Sequence, residues 1–142
     1  MNPNTSIELV LRFWQELWNP PYNFDVIDEI LSEDFVLVSA GLEITTRTAF
    51  KELAATLRSV FVDGRFHVLD SFASADGSKV VGRWKTVGKN HGIFGLPPDG
   101  ATVEFTGISI WEVRGNRLTK QWVERSALLT PCSPPLSAST VK

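Results

Sequence analysis

The chain has 142 residues, 43% of them hydrophobic and 21% charged, which excludes a disordered or fibrous chain. That length suits one domain, whose folding buries about two-thirds of the unfolded surface. A formal net charge of -2 with scattered basic residues lacks the electrostatic footprint of a nucleic-acid binder. No apolar run approaches the roughly 20 residues of a membrane span, and Met1 to Ser6 lacks the basic and apolar segments of a secretion signal, so no membrane partner is expected and the expected compartment is the cytoplasm. The single Cys132 has no disulfide partner, and the two histidines, His67 and His91, are too far apart to form a recognisable metal motif, so no metal is expected.

Thr5 and Glu8 have capping-box spacing, and Ile7, Val10, Leu11, Trp14, Leu17 and Trp18 then recur at helical intervals. Asn19-Pro20-Pro21 ends that amphipathic helix, because proline removes a backbone donor and pushes its predecessor out of the helical region. A shorter helix follows with Phe24, Ile27, Ile30 and Leu31 facing inward. Asp34 to Val38 is rich in β-formers, and Ala40-Gly41 breaks it before a third helix carrying Phe50, Leu53, Ala54, Leu57 and Phe61, which Asp63-Gly64 closes.

From Arg65 the period becomes that of strands. Residues 65–75 and 78–88 are predicted to pair around Asp76-Gly77, and residues 101–113 and 118–126 around Gly115-Asn116. The intervening Lys89 to Gly100 is a glycine- and proline-rich loop, and Pro131 to Lys142 has the composition of a disordered tail after a single domain over 1–130. If the last hairpin closes as a two-residue turn, Ser109 lies opposite Trp122 and Gly107 opposite Glu124. Phe105, Trp111 and Ser126 then share their face, while Ile108, Ile110 and Val123 lie on the other. A sheet apolar on both faces needs two covers, so the helices are expected on one side and a second copy of the chain, as a homodimer, on the other.

The run Gly88-Lys89-Asn90-His91-Gly92-Ile93-Phe94-Gly95-Leu96-Pro97-Pro98-Asp99-Gly100, followed by Val103-Glu104-Phe105-Thr106-Gly107-Ile108-Ser109-Ile110, resembles the SnoaL-like polyketide cyclase group of the NTF2-like superfamily. The resemblance covers roughly residues 6 to 129. It implies an α+β cone in which N-terminal helices pack on a strongly curved, mainly antiparallel sheet around an apolar pocket. It also implies a homodimer and no cofactor. Functions within the group range from cyclases and isomerases to proteins without known activity, so the fold alone decides little. Two departures weaken an ordinary cyclase mechanism. Lys89 and Asn90 stand where the cyclases commonly carry a threonine-histidine pair, with His91 displaced by one. Ser126 stands where the acid/base aspartate usually lies, and a serine hydroxyl is no carboxylate base near neutral pH.

Glu124, two residues before Ser126 on one strand face, is the candidate replacement base; otherwise it is a rim residue paired with an arginine. Arg83 is a candidate to polarise a carbonyl oxygen, unless Asp70 opposite it in the hairpin neutralises it as a structural salt bridge. His91 is the candidate proton donor, the alternative being a solvated loop residue, while His67 in a strand is expected to be structural. Trp122, Trp111 and Trp14 are candidates for ligand contact, since large rings lining a cavity suit flat apolar molecules, although core packing accounts for most of the five tryptophans. Asn90 and Ser126 are the remaining candidate ligand contacts. These residues describe a cofactor-independent cyclase or isomerase for a small hydrophobic carbonyl compound; the alternative is a pocket protein that binds such a compound without turning it over.

Overall fold

The computed structural model describes residues 2–128, so the predicted tail lies outside the described residues. The first helix, α1, spans Pro3–Trp18 and begins three residues earlier than the Thr5 cap predicts. Asn2 is the cap: its side-chain oxygen accepts the Thr5 N–H at 2.8 Å, and Pro3 takes the first helical position, where a missing N–H costs nothing. Val10, Phe13, Trp14 and Leu17 form its buried stripe, and Asn19 stops it as the proline pair requires. The short α2, Asp25–Ile30, buries Val26, Ile27 and Ile30, and Leu31 passes directly into strand β1, Leu31–Ser39.

Ala40 and Gly41, both at positive φ, do not lead straight to a helix: they turn the chain into a short edge strand, β2, Leu42–Thr45. Four residues with no alternation of burial gave that strand no signature in the sequence. Thr46 then caps α3, Arg47–Val60, by accepting the Ala49 N–H at 3.2 Å. The third helix ends at Val60 rather than at Asp63-Gly64, and those two residues instead form an irregularity within β3, Phe61–Ala73. Strands β4, Lys79–Asn90, β5, Thr102–Arg114, and β6, Arg117–Arg125, complete the fold.

The six strands form one curved sheet in the order β2-β1-β6-β5-β4-β3, antiparallel except where β1 runs parallel to β6. Helix α1 lies over β3 and β4, and α3 over β1 and β3, so the helices cover one face and leave the other bare. The core between them is aromatic. Trp111 sits at its centre, 5.4 Å from Phe13 and 5.7 Å from Trp14 in edge-on contacts. Those rings fit because the sheet beneath them is thinned: a Cβ on Gly82 would strike the Trp14 indole, and one on Gly107 would strike the indole of Trp84.

The β3–β4 turn is built by Asp76, whose Oδ1 accepts the Ser78 N–H at 2.9 Å and the Ser78 and Ser74 hydroxyls at 2.8 Å each. These bonds, led by the Ser78 N–H, hold the Asp76 carboxyl down to about 2. Gly77 O in turn accepts the buried Ser6 hydroxyl, fastening the turn to α1.

The last hairpin departs from its predicted register. Arg114 pairs with Arg117 and Val113 with Leu118, but Glu112 then pairs with Lys120, so Thr119 is an extra residue on β6. Its hydroxyl donates to Glu112 O at 3.2 Å, which holds the bulge in place. Beyond it every β6 side chain is out of phase with the two-residue-turn prediction. Ser109 faces Val123, Ile110 faces Trp122, and Ile108 faces Glu124.

Candidate functional site

The bulge decides which residues can act together. On the helix-covered side, β5 presents Phe105, Gly107, Ser109 and Trp111, and β6 presents Gln121, Val123 and Arg125. Ser109 is fully buried and its hydroxyl oxygen accepts both the Trp84 Nε1–H at 3.0 Å and the Gln121 Nε2–H at 3.1 Å. The neighbouring Trp111 Nε1 is buried without a partner among the described residues. This inner wall is aromatic and neutral; Arg125, at the end of β6, is its one charged side chain on β4, β5 and β6.

The outer face is organised in rows. Phe72, Val81, Ile110, Trp122 and Val38 lie in register across five strands as an apolar stripe, with Phe72 57% and Ile110 38% exposed. One flanking row is Asp70, Arg83, Ile108 and Glu124. The other contains Lys79, Glu112 and Lys120, in which Lys79 donates to Glu112 at 3.2 Å and draws its carboxyl below the usual glutamate range. Both Lys79 and Lys120 also sit over the Trp122 ring, at 5.3 and 4.7 Å from its centroid.

The expected grouping of Glu124 with Trp122 and Trp111 on one inner face is therefore corrected. Trp122 and Glu124 point outward, Glu124 is exposed, and Trp111 lies on the opposite side, sealed among Phe13, Trp14 and Phe35. Trp14 is likewise a core residue, 2% exposed, though its flank borders an open depression of about 380 Å³ between α1 and β3. Arg83 does join Glu124: the two flank Ile108 on adjacent strands and border a groove of about 300 Å³, together with Thr106 and Ser126. Asp70 stands opposite Arg83 as predicted, but no contact within ion-pair distance joins them.

The other candidates have been given different work. Asn90 is 3% exposed and spends its amide on its own loop. Its Nδ2 donates to Pro97 O and Asp99 Oδ1, each at 3.0 Å, while its Oδ1 accepts the Gly92 and Ile93 N–H groups at 2.9 and 3.0 Å. It holds no donor in reserve for an oxyanion. The Ser126 hydroxyl accepts the Thr106 N–H at 3.0 Å and donates to Ala127 O at 2.7 Å, closing the end of the β5–β6 ladder. His91 is exposed on the loop, away from the groove-lining residues, and its backbone N–H bonds Val60 O at 2.8 Å.

Gln121, Ser109, Arg125 and Phe94 are the residues that sequence reasoning missed. No sequence signal marked Gln121: Leu118 and Gln121 are both buried yet three residues apart, which a strand allows only across the bulge that the structure reveals. Among the described residues no cluster of three or more His, Cys, Asp or Glu side chains is arranged to hold a metal. Among the described residues no helix is long and apolar enough to cross a membrane.

Known structures share this architecture. A protein from Jannaschia sp. CCS1 assigned as a SnoaL-like polyketide cyclase superposes with a TM-score of 0.77 at 19% identity, covering 87% of each chain. One from Acidithiobacillus ferrooxidans assigned as a polyketide cyclase gives 0.73 at 26% identity, covering 86% of this chain and 88% of its own. A phenazine biosynthesis-related protein from Pseudomonas aeruginosa gives 0.70 at 14% identity, over 87% of this chain and 80% of its own. No functionally curated protein matches the sequence. The family model described as SnoaL-like polyketide cyclase matches residues 8–128, nearly all of the described chain and all of the helix-then-sheet fold except the first turn of α1, and the chain belongs to that family.

Proposed function

We propose that the protein is a cofactor-independent acid/base catalyst of the cyclase or isomerase type, acting on a small hydrophobic carbonyl compound at the groove between Arg83 and Glu124. Family membership supports that class of chemistry in general. The observation that carries the site is the row Arg83–Ile108–Glu124, which sets the Arg83 and Glu124 backbones about 10 Å apart, two strand spacings, on either side of an apolar floor. A carbonyl compound lying on Ile108 has Glu124 on one side to remove a proton from the carbon beside the carbonyl, and Arg83 on the other to donate to the oxygen as enolate charge develops. Screening carbonyl compounds by thermal shift and following turnover checks this. Glu124→Gln is expected to keep the fold and lower turnover roughly 100-fold or more, because the amide cannot take the proton. Turnover unchanged in that variant removes Glu124 from the mechanism.

A second reading, binding without turnover, is favoured by the inner wall, where β4, β5 and β6 present rings and amides but no carboxylate or histidine. Saturable binding by the native protein with no product would support it.

We also propose that a second copy covers the outer face. The stripe through Ile110 and Phe72, bordered by the exposed Ile108, is the bare apolar surface such a contact would bury, and the partner would shut the groove off from solvent. Light scattering at micromolar concentration is expected to give the dimer mass, and Ile110→Glu to give a monomer; a monomeric native protein would remove the proposal.

A further inference from the structure

Where β4 runs into its loop and β6 ends, three groups from different elements are layered. Phe105 of β5 forms the floor, Phe94 of the loop lies 5.2 Å above it edge-on, and the Arg125 guanidinium lies 3.5 Å from the Phe94 ring centroid. Phe94 thus fills a slot between an aromatic surface and a cationic roof, the arrangement that holds a flat ring best. Its seat is held against local resistance. Phe94 has φ of 55°, a region that penalises bulky residues, and it is 38% exposed despite its two neighbours. Gly95 follows it at φ of 74°, a conformation that glycine takes without the steric cost a side chain would add. The root of the loop is separately fixed, by the four Asn90 side-chain bonds and by the burial of Ile93.

Arg125 supplies the second observation. It forms no ion pair among the described residues and gives one N–H to Ser126 O at 3.1 Å, which leaves most of its fork unused beside a wall that is otherwise neutral.

We propose that Phe94 is a built-in plug for a binding site whose ligand is an aromatic ring bearing a carboxylate on a short arm. The ligand ring replaces Phe94 on Phe105, and the carboxylate takes the free donors of Arg125. This site shares Arg125 with the edge of the Arg83–Glu124 groove, but its test reads binding through Phe94, so it stands or fails apart from any turnover.

Calorimetric titration with 2-naphthylacetate and with the uncharged 2-naphthylacetamide distinguishes the contributions. The acetate is expected to bind the native protein more tightly than the amide. Phe94→Ala is expected to bind the acetate roughly tenfold more tightly than the native chain, because the competing ring is gone. Arg125→Gln is expected to lose the preference for the acetate while still binding both compounds weakly. Phe94→Leu, which keeps an apolar side chain but cannot stack, serves if the alanine variant fails to fold, and is expected to move in the same direction. The proposal is overturned if neither Phe94 variant gains affinity, if the acetate preference survives in Arg125→Gln, or if no variant binds either compound.

Discussion

Gly107→Ala is expected to destabilise the protein by about 2–3 kcal/mol, the cost of overpacking a well-filled core. At most compatible positions the same change is neutral or favourable, since alanine narrows the unfolded ensemble by under about 1 kcal/mol. Here the sign reverses because the new Cβ would enter the space of the Trp84 indole. That ring cannot simply step aside: Phe66 lies 5.2 Å and Phe105 5.8 Å from it, and its Nε1–H is committed to the buried Ser109 hydroxyl. Urea denaturation of Gly107→Ala, Trp84→Leu and the double variant closes the cycle. The alanine should cost far less once Trp84 is leucine. A single variant as stable as the native protein would mean that the ring does not rest on this glycine.

Asn90→Ala should cost about 3 kcal/mol, because it strands several loop groups at once. The Gly92 and Ile93 N–H groups and Pro97 O would lose their Asn90 partner, and Asp99 Oδ1 would keep only the Ala101 N–H at 3.0 Å. Asn90→Asp is the sharper probe. It keeps the acceptor for Gly92 and Ile93 but replaces both donors with a carboxylate facing Asp99, so it should be strongly destabilised at neutral pH. Part of the loss should return as the pH falls and one of the two carboxyls takes a proton, which restores a donor between them. Hydrogen exchange at the Gly92 and Ile93 amides, with melting curves at several pH values, reads both effects. An aspartate variant as stable as the native chain at pH 7 would show that the amide donors carry little.

The fold was largely legible because its strongest elements announce themselves by periodicity. The stripe of Val10, Trp14 and Leu17 marks α1, and the alternation in β4, with Val80, Gly82, Trp84 and Thr86 buried in turn, marks a half-covered strand. Residue types around the loop at 88–100 were enough to place the family. The site was much less legible. Position 126 could be matched to a motif, but which face Glu124 occupies depends on whether Thr119 stays in the ladder or bulges out of it. That choice rests on a single hydroxyl bond and on the burial of Leu118 and Gln121, which local pattern does not reveal. Asn90 was misread for a related reason. Its amide looks available in a list of residues and is fully used once the loop closes on it.

The bulge at Thr119 also bears on how this strand can evolve. Substitution changes what a side chain is but not which side of a sheet it occupies, so no point change could carry the glutamate of β6 into the cone. Loss of one codon could: without the extra residue, the following positions would exchange sides together, bringing Trp122 and Glu124 inward and turning Gln121 and Val123 out. An insertion or deletion here is therefore a single-step route between a neutral interior and an ionisable one, and relatives whose chemistry differs should be sought first among those that differ in length at this point.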